Sequence, residues 1–358
     1  MTVLGVVGAG VMGAGISQVA LESGWEVVIH DVDPEAIDRA LERVRDGLSR
    51  RAAKLELDAD TIDEWVDGRL AGLRHAHTLD GLTTEATLVI EAALEDLALK
   101  QTIFRALDAS APGDTILATN TSALSITAIA EAAAALPERV LGLHFFNPVP
   151  LMALVEVVAG RRTAKAVVER ASEFVRSWGK TPVRSADTPG FIVNRVNRPF
   201  TIEALRILEE GAADIESIDG AMRDAGFPMG PFELMDLAGL DVNFAAASAI
   251  WEGLGRPERL RPSAIQETMV GDGRLGRKTG RGFYRYEDGR RGPVDGASGS
   301  GNGPRAGHLP AARIRERIES AIVAEARLAI DEDVAARNDI AMALRLGAAY
   351  PERLLISI

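Results

Sequence analysis

The chain of 358 residues has no cysteine, which excludes disulfide bonds, thiolate nucleophiles and cysteine-ligated metal centres. It has only 5 histidines. These are His30, His75, His77, His144 and His308, and none falls in an HExxH-type spacing, so no metal site is expected. His75 and His77 read as part of a solvated loop. No unbroken apolar run reaches about 18 residues and no signal-peptide pattern opens the chain, so the expectation is a cytoplasmic protein without a membrane partner. Positive charge is also in short supply. Lys and Arg number 40 against 52 Asp and Glu, for a net charge of −12. That balance argues against a general nucleic-acid binder and leaves anionic ligands to local donors.

What is present begins at the N-terminus. Thr2 to Val7 is an apolar, valine-rich strand that runs into Gly8-Ala-Gly10-Val-Met12-Gly13, and Ala14 to Leu21 continues as a helix. In this strand, glycine turn and helix, Gly8 permits the turn, Gly10 leaves room for a pyrophosphate and Gly13 lets helix and strand pack closely. The phosphates would meet the positive end of the helix. A second strand, Glu26 to His30, ends at Asp31, eighteen residues after Gly13. A carboxylate there accepts hydrogen bonds from adenosine ribose hydroxyls and repels a 2′-phosphate, which favours NAD over NADP.

A long helical segment follows, Pro34 to Ala53 and then Thr61 to Leu73, before the sheet resumes at Ala86 to Ala92. It exceeds a usual crossover loop and reads as a helical arm over 34–80. Its basic cluster, Arg50, Arg51 and Lys54, suits phosphate binding, or equally a solvated helix face. Thr115 to Ala118 is the next strand, and Asn120-Thr-Ser122 the loop after it. Ser122 either caps the helical run Ser125 to Ala135 or serves a ligand, since ligands in open α/β sheets bind beyond the carboxyl ends of the strands.

The densest signal is His144-Phe-Phe-Asn-Pro-Val-Pro-Leu-Met-Ala-Leu-Val-Glu156-Val-Val. Leu141 to Phe146 and Leu151 to Val158 read as buried strands, and a carboxylate inside one of them needs a partner. His144 is that partner, either as half of a structural pair or as a proton acceptor. The sheet domain is expected to end near Arg184. Asp187 to Gly190 is a break, and from Phe191 the sequence is mainly helical. Glu287 to Pro310, rich in Gly, Ser, Arg and Pro, has the composition of a linker. Beyond it, Glu325, Glu332, Ile340 and Arg345 repeat Glu203, Glu210, Ile218 and Arg223 at an offset of 122 residues. This is either a partial second copy of the helical domain or a coincidence of two alanine-rich helices.

Seven motifs in order, the Gly8–Gly13 loop with Met12, Asn120-Thr-Ser122, His144-Phe-Phe-Asn-Pro-Val-Pro, Leu154-Val-Glu156-Val-Val, Pro189-Gly-Phe-Ile-Val-Asn194-Arg, Pro228 to Asp236 and Lys278 to Tyr284, are together similar to the L-3-hydroxyacyl-CoA dehydrogenase family. The similarity is strongest to its 3-hydroxybutyryl-CoA branch and spans residues 1 to about 286. It implies an α/β fold: a Rossmann-type, doubly wound N-terminal domain (1–184), an all-α substrate and dimerisation domain (185–286), a linker (287–310) and the partial second copy (311–358). It also implies that His144 is the catalytic base, Glu156 its partner, and Ser122 and Asn194 the substrate-polarising residues. Glu95 and Lys100 would approach the nicotinamide half of the cofactor, with Asn120 nearby, and the arm bearing Arg50, Arg51 and Lys54 would contact coenzyme A. Members with one helical domain dimerise through it; here the extra copy either supports a homodimer or covers the same face within the chain. The spacing between Ser122 and His144 is one residue longer than the commonest family spacing.

The implied reaction is oxidation of a 3-hydroxyacyl-CoA by NAD. Imidazole, ordinarily near pKa 6.5, suits removal of the hydroxyl proton as hydride leaves carbon 3. Two other readings share the cofactor domain: a dehydrogenase of a free hydroxy acid such as a sugar acid or carnitine, and a non-catalytic NAD-binding protein.

Overall fold

A computed structural model describes residues 2–296 and 309–358, and the chain divides into two units, 1–187 and 188–358. The first opens with β1 (Val3–Val7), α1 (Val11–Glu22), β2 (Glu26–His30), α2 (Pro34–Lys54), α3 (Ala59–Leu70) and β3 (Leu73–His75). It continues with α4 (Leu79–Thr83), β4 (Leu88–Glu91), α5 (Leu97–Ser110), β5 (Ile116–Thr119) and α6 (Ile126–Ala130). β6 (Val140–Phe145), β7 (Leu154–Ala159), α7 (Lys165–Ser177) and β8 (Thr181–Ala186) complete it.

The eight strands form one sheet in the order β3-β2-β1-β4-β5-β6-β7-β8. β1 to β6 are parallel, and the order reverses between β1 and β4, which puts a crevice beyond the ends of those two strands. β7 turns back antiparallel on β6, and β8 runs parallel to β7. Alternation along β1 splits the core: Leu4 and Val6 join Ile16, Leu48 and Val155 on one face, while Val3 and Val7 join Phe104, Leu117 and Ile129 on the other.

Four expectations are corrected in this unit. The sheet resumes at β3, not at Ala86, because the segment expected to end a helix at Leu73 instead pairs with β2; the helical arm is therefore α2 and α3, ending at Leu70. His75 lies on that edge strand rather than in a loop. The helix expected from Ser125 to Ala135 stops at Ala130, since the Asp108 carboxylate takes the Ala135 N–H at 2.8 Å and Pro137 follows. The strand expected from Leu151 starts at Leu154, because Pro148 and Pro150 remove ladder donors just before it.

The second unit contains α8 (Val193–Val196), α9 (Arg198–Glu209), α10 (Ile215–Asp224), α11 (Pro231–Ala238), α12 (Leu240–Gly253) and α13 (Ala264–Gly271). After them come β9 (Tyr284–Glu287), β10 (Arg290–Val294), α14 (Ala311–Asp331), α15 (Arg337–Ala348) and α16 (Glu352–Leu355). β9 and β10 form a hairpin inside the stretch expected to be a linker, turning on Asp288 and Gly289 with φ of 48° and 73°. The remainder of that linker, 297–308 with His308, lies outside the described residues. Asp236 of α11 seats the hairpin by accepting hydrogen bonds from Phe283 N, Tyr284 N and Tyr286 Oη.

At the offset of 122, α14 and α15 correspond to α8–α9 and α10, and α14 packs on α8, α9 and α10. α14 is one continuous helix because Ala321 stands where Pro199 separates α8 from α9. The ion pairs that join these helices are reciprocal at the same offset. Arg195 Nε lies 2.8 Å from Glu325 and its Nη1 2.8 Å from Glu332, while Arg317 reaches the counterparts Glu203 and Glu210, both at 2.6 Å. Phe227 and its counterpart Tyr350 meet edge to face, with ring centroids 5.0 Å apart.

Candidate active site

The register of β6 on β7 sets His144 directly opposite Glu156. Glu156 is fully buried and His144 nearly so, and imidazole Nδ1 lies 2.6 Å from Glu156 Oε2. A buried carboxylate takes a proton donor here, so the proton belongs on Nδ1 and the Nε2 lone pair is left for other use. Nε2 lies 3.1 Å from Ser122 Oγ, and the Phe146 ring flanks the imidazole at 4.5 Å. His144, Glu156 and Ser122 therefore form one line from the sheet interior to an exposed hydroxyl on the loop after β5. That arrangement can accept a proton at Nε2 and balance the resulting imidazolium with Glu156.

Ser122 is not a helix cap; Ser125 fills that role by accepting from Ala128 N at 3.2 Å. The Ser122 loop is held from the β4 side. Glu95 Oε1 accepts from Thr121 Oγ1 at 2.5 Å, Ser122 N at 2.9 Å and Ala123 N at 3.2 Å. Behind Glu95 lies the buried Glu91, which accepts from Lys100 Nζ at 2.7 Å, Thr119 Oγ1 at 2.7 Å and Ala93 N at 2.6 Å. Lys100 is 1% exposed, with its ammonium on Glu91 and 3.4 Å from Glu95. The Lys100 ammonium is thus held between the buried Glu91 and the Glu95 carboxylate that ties the Ser122 loop. Asn120 ties the same loop to β6, its Oδ1 accepting from Phe145 N at 2.8 Å. Sequence reasoning did not single out Glu91 or Thr121. A charged residue closing the apolar strand Leu88-Val-Ile-Glu91 was the available signal for the first.

The glycine loop sits at the crevice between β1 and β4. Gly8 has φ of +102°, and a Cβ there would lie 2.7 Å from Ala92 O. A Cβ at Gly13 would come within 1.9 Å of Gly8 O, whereas one at Gly10 would meet nothing within 4 Å. Open space over Gly10, together with an α1 N-terminus that no side chain caps, fits a pyrophosphate. Met12 packs on the core beside this loop, and Asp31 accepts from Ala9 N at 2.7 Å and Asp33 N at 3.0 Å, which shapes the loop from the β2 side. The residues fit a dinucleotide.

Arg50, Arg51 and Lys54 are exposed at the end of α2, and Arg51 lies 3.7 Å from Glu22 on α1. Asn194 belongs to the second unit, half-buried in α8. At the offset of 122 the position of Asn194 is taken by Glu316. Among the described residues no group of His, Asp and Glu is arranged to hold a metal, and no helix is long and apolar enough to cross a membrane.

Two family domains match the chain: the NAD-binding domain of 3-hydroxyacyl-CoA dehydrogenase over residues 3–188 and its C-terminal domain over 190–286. The chain is 49% identical over 282 residues to the 3-hydroxyadipyl-CoA dehydrogenase of Escherichia coli K12, covering 78% of this chain and 58% of that protein. It thus spans under two thirds of that relative's length. It is 42% identical over 284 residues to the mitochondrial hydroxyacyl-coenzyme A dehydrogenase of Rattus norvegicus, covering 79% of this chain and 90% of the relative. Among solved structures, 3-hydroxybutyryl-CoA dehydrogenase from Escherichia coli K12 superposes with a TM-score of 0.86 at 37% identity, covering 98% of this chain and 89% of that one. The motifs, the sheet order and both matched domains agree, and the chain belongs to the 3-hydroxyacyl-CoA dehydrogenase family.

Proposed function

We propose that the chain oxidises (S)-3-hydroxyacyl-CoA to 3-oxoacyl-CoA with NAD, reversibly and with short acyl chains. The observation that carries this reading is the buried Glu156–His144 pair with Nε2 turned toward Ser122, in the same sheet as a dinucleotide loop. In oxidation, His144 Nε2 takes the proton of the substrate hydroxyl, Glu156 holds Nδ1–H and balances the imidazolium, and Ser122 orients the hydroxyl oxygen. The nicotinamide supplies the hydride acceptor. Asn194 is assigned to a substrate oxygen, and the α2 cluster to coenzyme A phosphates, on the family resemblance alone. In reduction, His144 returns the proton.

We also infer that the second copy takes the place of a partner subunit. Its reciprocal ion pairs, Arg195 with Glu325 and Glu332 and Arg317 with Glu203 and Glu210, have the self-complementary pattern of a two-fold interface. A cytoplasmic location belongs to the same proposal.

The substrate assignment is tested by NADH oxidation at 340 nm with acetoacetyl-CoA, 3-oxoadipyl-CoA and free acetoacetate, and with NADPH in parallel. Turnover with NADH and a thioester, but not with NADPH or free acetoacetate, is expected. Turnover of the free acid alone would move the chain to the hydroxy-acid reading.

A further inference from the structure

Lys180 stands outside every role assigned above. It precedes β8, is 8% exposed, and its Nζ donates to two main-chain carbonyls, Val149 O at 2.6 Å and Met152 O at 2.7 Å. Both carbonyls belong to segment 146–153, which joins β6 to β7 and so connects His144 to Glu156. Among the described residues no carboxylate is paired with this ammonium. The opposite charge that acts on it is Glu22 of α1, which Gln18 Nε2 already engages at 2.7 Å, with Arg51 of α2 behind it at 3.7 Å.

Burying an ammonium without a counter-charge is costly, so its two hydrogen bonds need a reason. Segment 146–153 supplies one. Pro148 and Pro150 have no N–H to give, and Leu151 N and Met152 N both turn back on Pro148 O at 3.0 Å, so ladder bonding reaches the segment only at its end, where Ala153 O accepts from Thr181 N at 2.7 Å. It also has a seat to keep. Val149 and Pro150 lie against Gly15 of α1, where an added Cβ would come within 2.9 Å of Val149 Cβ. The segment thus touches the helix that begins at the dinucleotide loop while it spans the two catalytic strands.

We propose that Lys180 is a positioning residue of the active site, whose ammonium holds segment 146–153 so that His144 and Glu156 keep their facing register and the segment keeps its seat on α1. The proposal rests on the dehydrogenase reading above.

Burial pushes this ammonium down to about 8, against the opposing pull of Glu22. Above that pH the neutral amine is a weaker donor and the tie slackens. The unfolded chain keeps the same proton up to about 10.5. Between these values the unfolded state binds more protons, so the contribution of this group to stability rises with pH while its hold on the segment falls. A loss of turnover in that window therefore does not arise from unfolding through Lys180.

The test measures kcat and KM for (S)-3-hydroxybutyryl-CoA and NAD against pH, together with hydrogen exchange of the amides in 146–153 corrected for intrinsic rates. It compares wild type with Lys180→Met and Lys180→Gln. In the wild type, kcat is expected to fall and exchange in the segment to rise above about pH 8. Lys180→Met is expected to lower kcat at neutral pH by about 10- to 100-fold, the scale of a small misplacement of catalytic groups. It should leave KM for NAD near its wild-type value, speed exchange in the segment and lose the alkaline fall. Lys180→Gln, which keeps N–H donors on a shorter, uncharged side chain, should lie between them. Wild-type kcat and exchange in Lys180→Met would overturn the proposal, and if that variant fails to fold, wild-type kcat and exchange in Lys180→Gln would do the same. A wild type inactive on every thioester would sink the functional reading instead, while the exchange data still judge the tie.

Discussion

Two fully buried carboxylates, Glu91 and Glu156, meet different partners. Glu91 is closed in by an ammonium, a hydroxyl and a main-chain N–H, whereas Glu156 faces an imidazole whose second nitrogen reaches an exposed serine. Only the second arrangement can pass a proton change outward. Lys100→Met leaves Glu91 buried without its counter-charge, and the expected cost is about 3–5 kcal/mol of stability, read from urea unfolding. A variant that keeps full stability and loses only NADH affinity would instead place Lys100 on the cofactor. The glycine loop gives a sharper contrast. Gly13→Ala drives a Cβ to 1.9 Å from Gly8 O and should cost both stability and binding, while Gly10→Ala has open space and should fold normally yet bind NADH at least tenfold more weakly, as measured by NADH fluorescence. His144, Glu156 and the glycines were legible because their chemistry is carried by residue type and spacing. The pairing of Lys100 was not, because its partner Glu91 closes strand β4 while Lys100 itself sits on helix α5.

Among the elements, long periodic segments were read well and short ones poorly. β3 has 3 residues, two of them Arg74 and His75, so no hydrophobic alternation marks it. The β9–β10 hairpin was hidden by a Gly- and Arg-rich composition, although Asp288-Gly289 is a hairpin-turn dipeptide flanked by Tyr284, Tyr286 and Val294. Helix carboxylates hold that hairpin: Asp219 accepts from Tyr284 Oη at 2.7 Å, Glu233 pairs with Arg291, and Asp236 takes the main-chain N–H groups at its base. Asp236→Ala would orphan Phe283 N and Tyr284 N inside the unit and is expected to cost about 3 kcal/mol, again by urea unfolding. A cost below about 1 kcal/mol, the scale of an exposed contact, would show that the hairpin is held by packing instead. The antiparallel return of β7 on β6 was also beyond the sequence, since the apolar run has the same pattern in either direction. That return is what brings His144 and Glu156 face to face.

For the whole chain, the matching residues at an offset of 122 were visible, but the reciprocal arginines were not, because Arg195 and Arg317 each pair with carboxylates more than a hundred residues away. The two pairs differ in burial: Arg195 is fully buried and Arg317 is one-third exposed. Arg195→Met is therefore expected to destabilise by about 3–5 kcal/mol and Arg317→Met by about 1 kcal/mol. If the second copy replaces a subunit, sedimentation equilibrium should give a single species near the chain mass of 38.1 kDa across a wide concentration range. A concentration-dependent shift to twice that mass would assign the copy to supporting a dimer. The central claim, that a buried Glu156–His144 pair performs the proton transfer, is tested most directly by Glu156→Gln in (S)-3-hydroxybutyryl-CoA oxidation with NAD followed at 340 nm. A fall in kcat of about 100-fold or more with NAD affinity kept is the predicted result, and unchanged kcat would contradict the account.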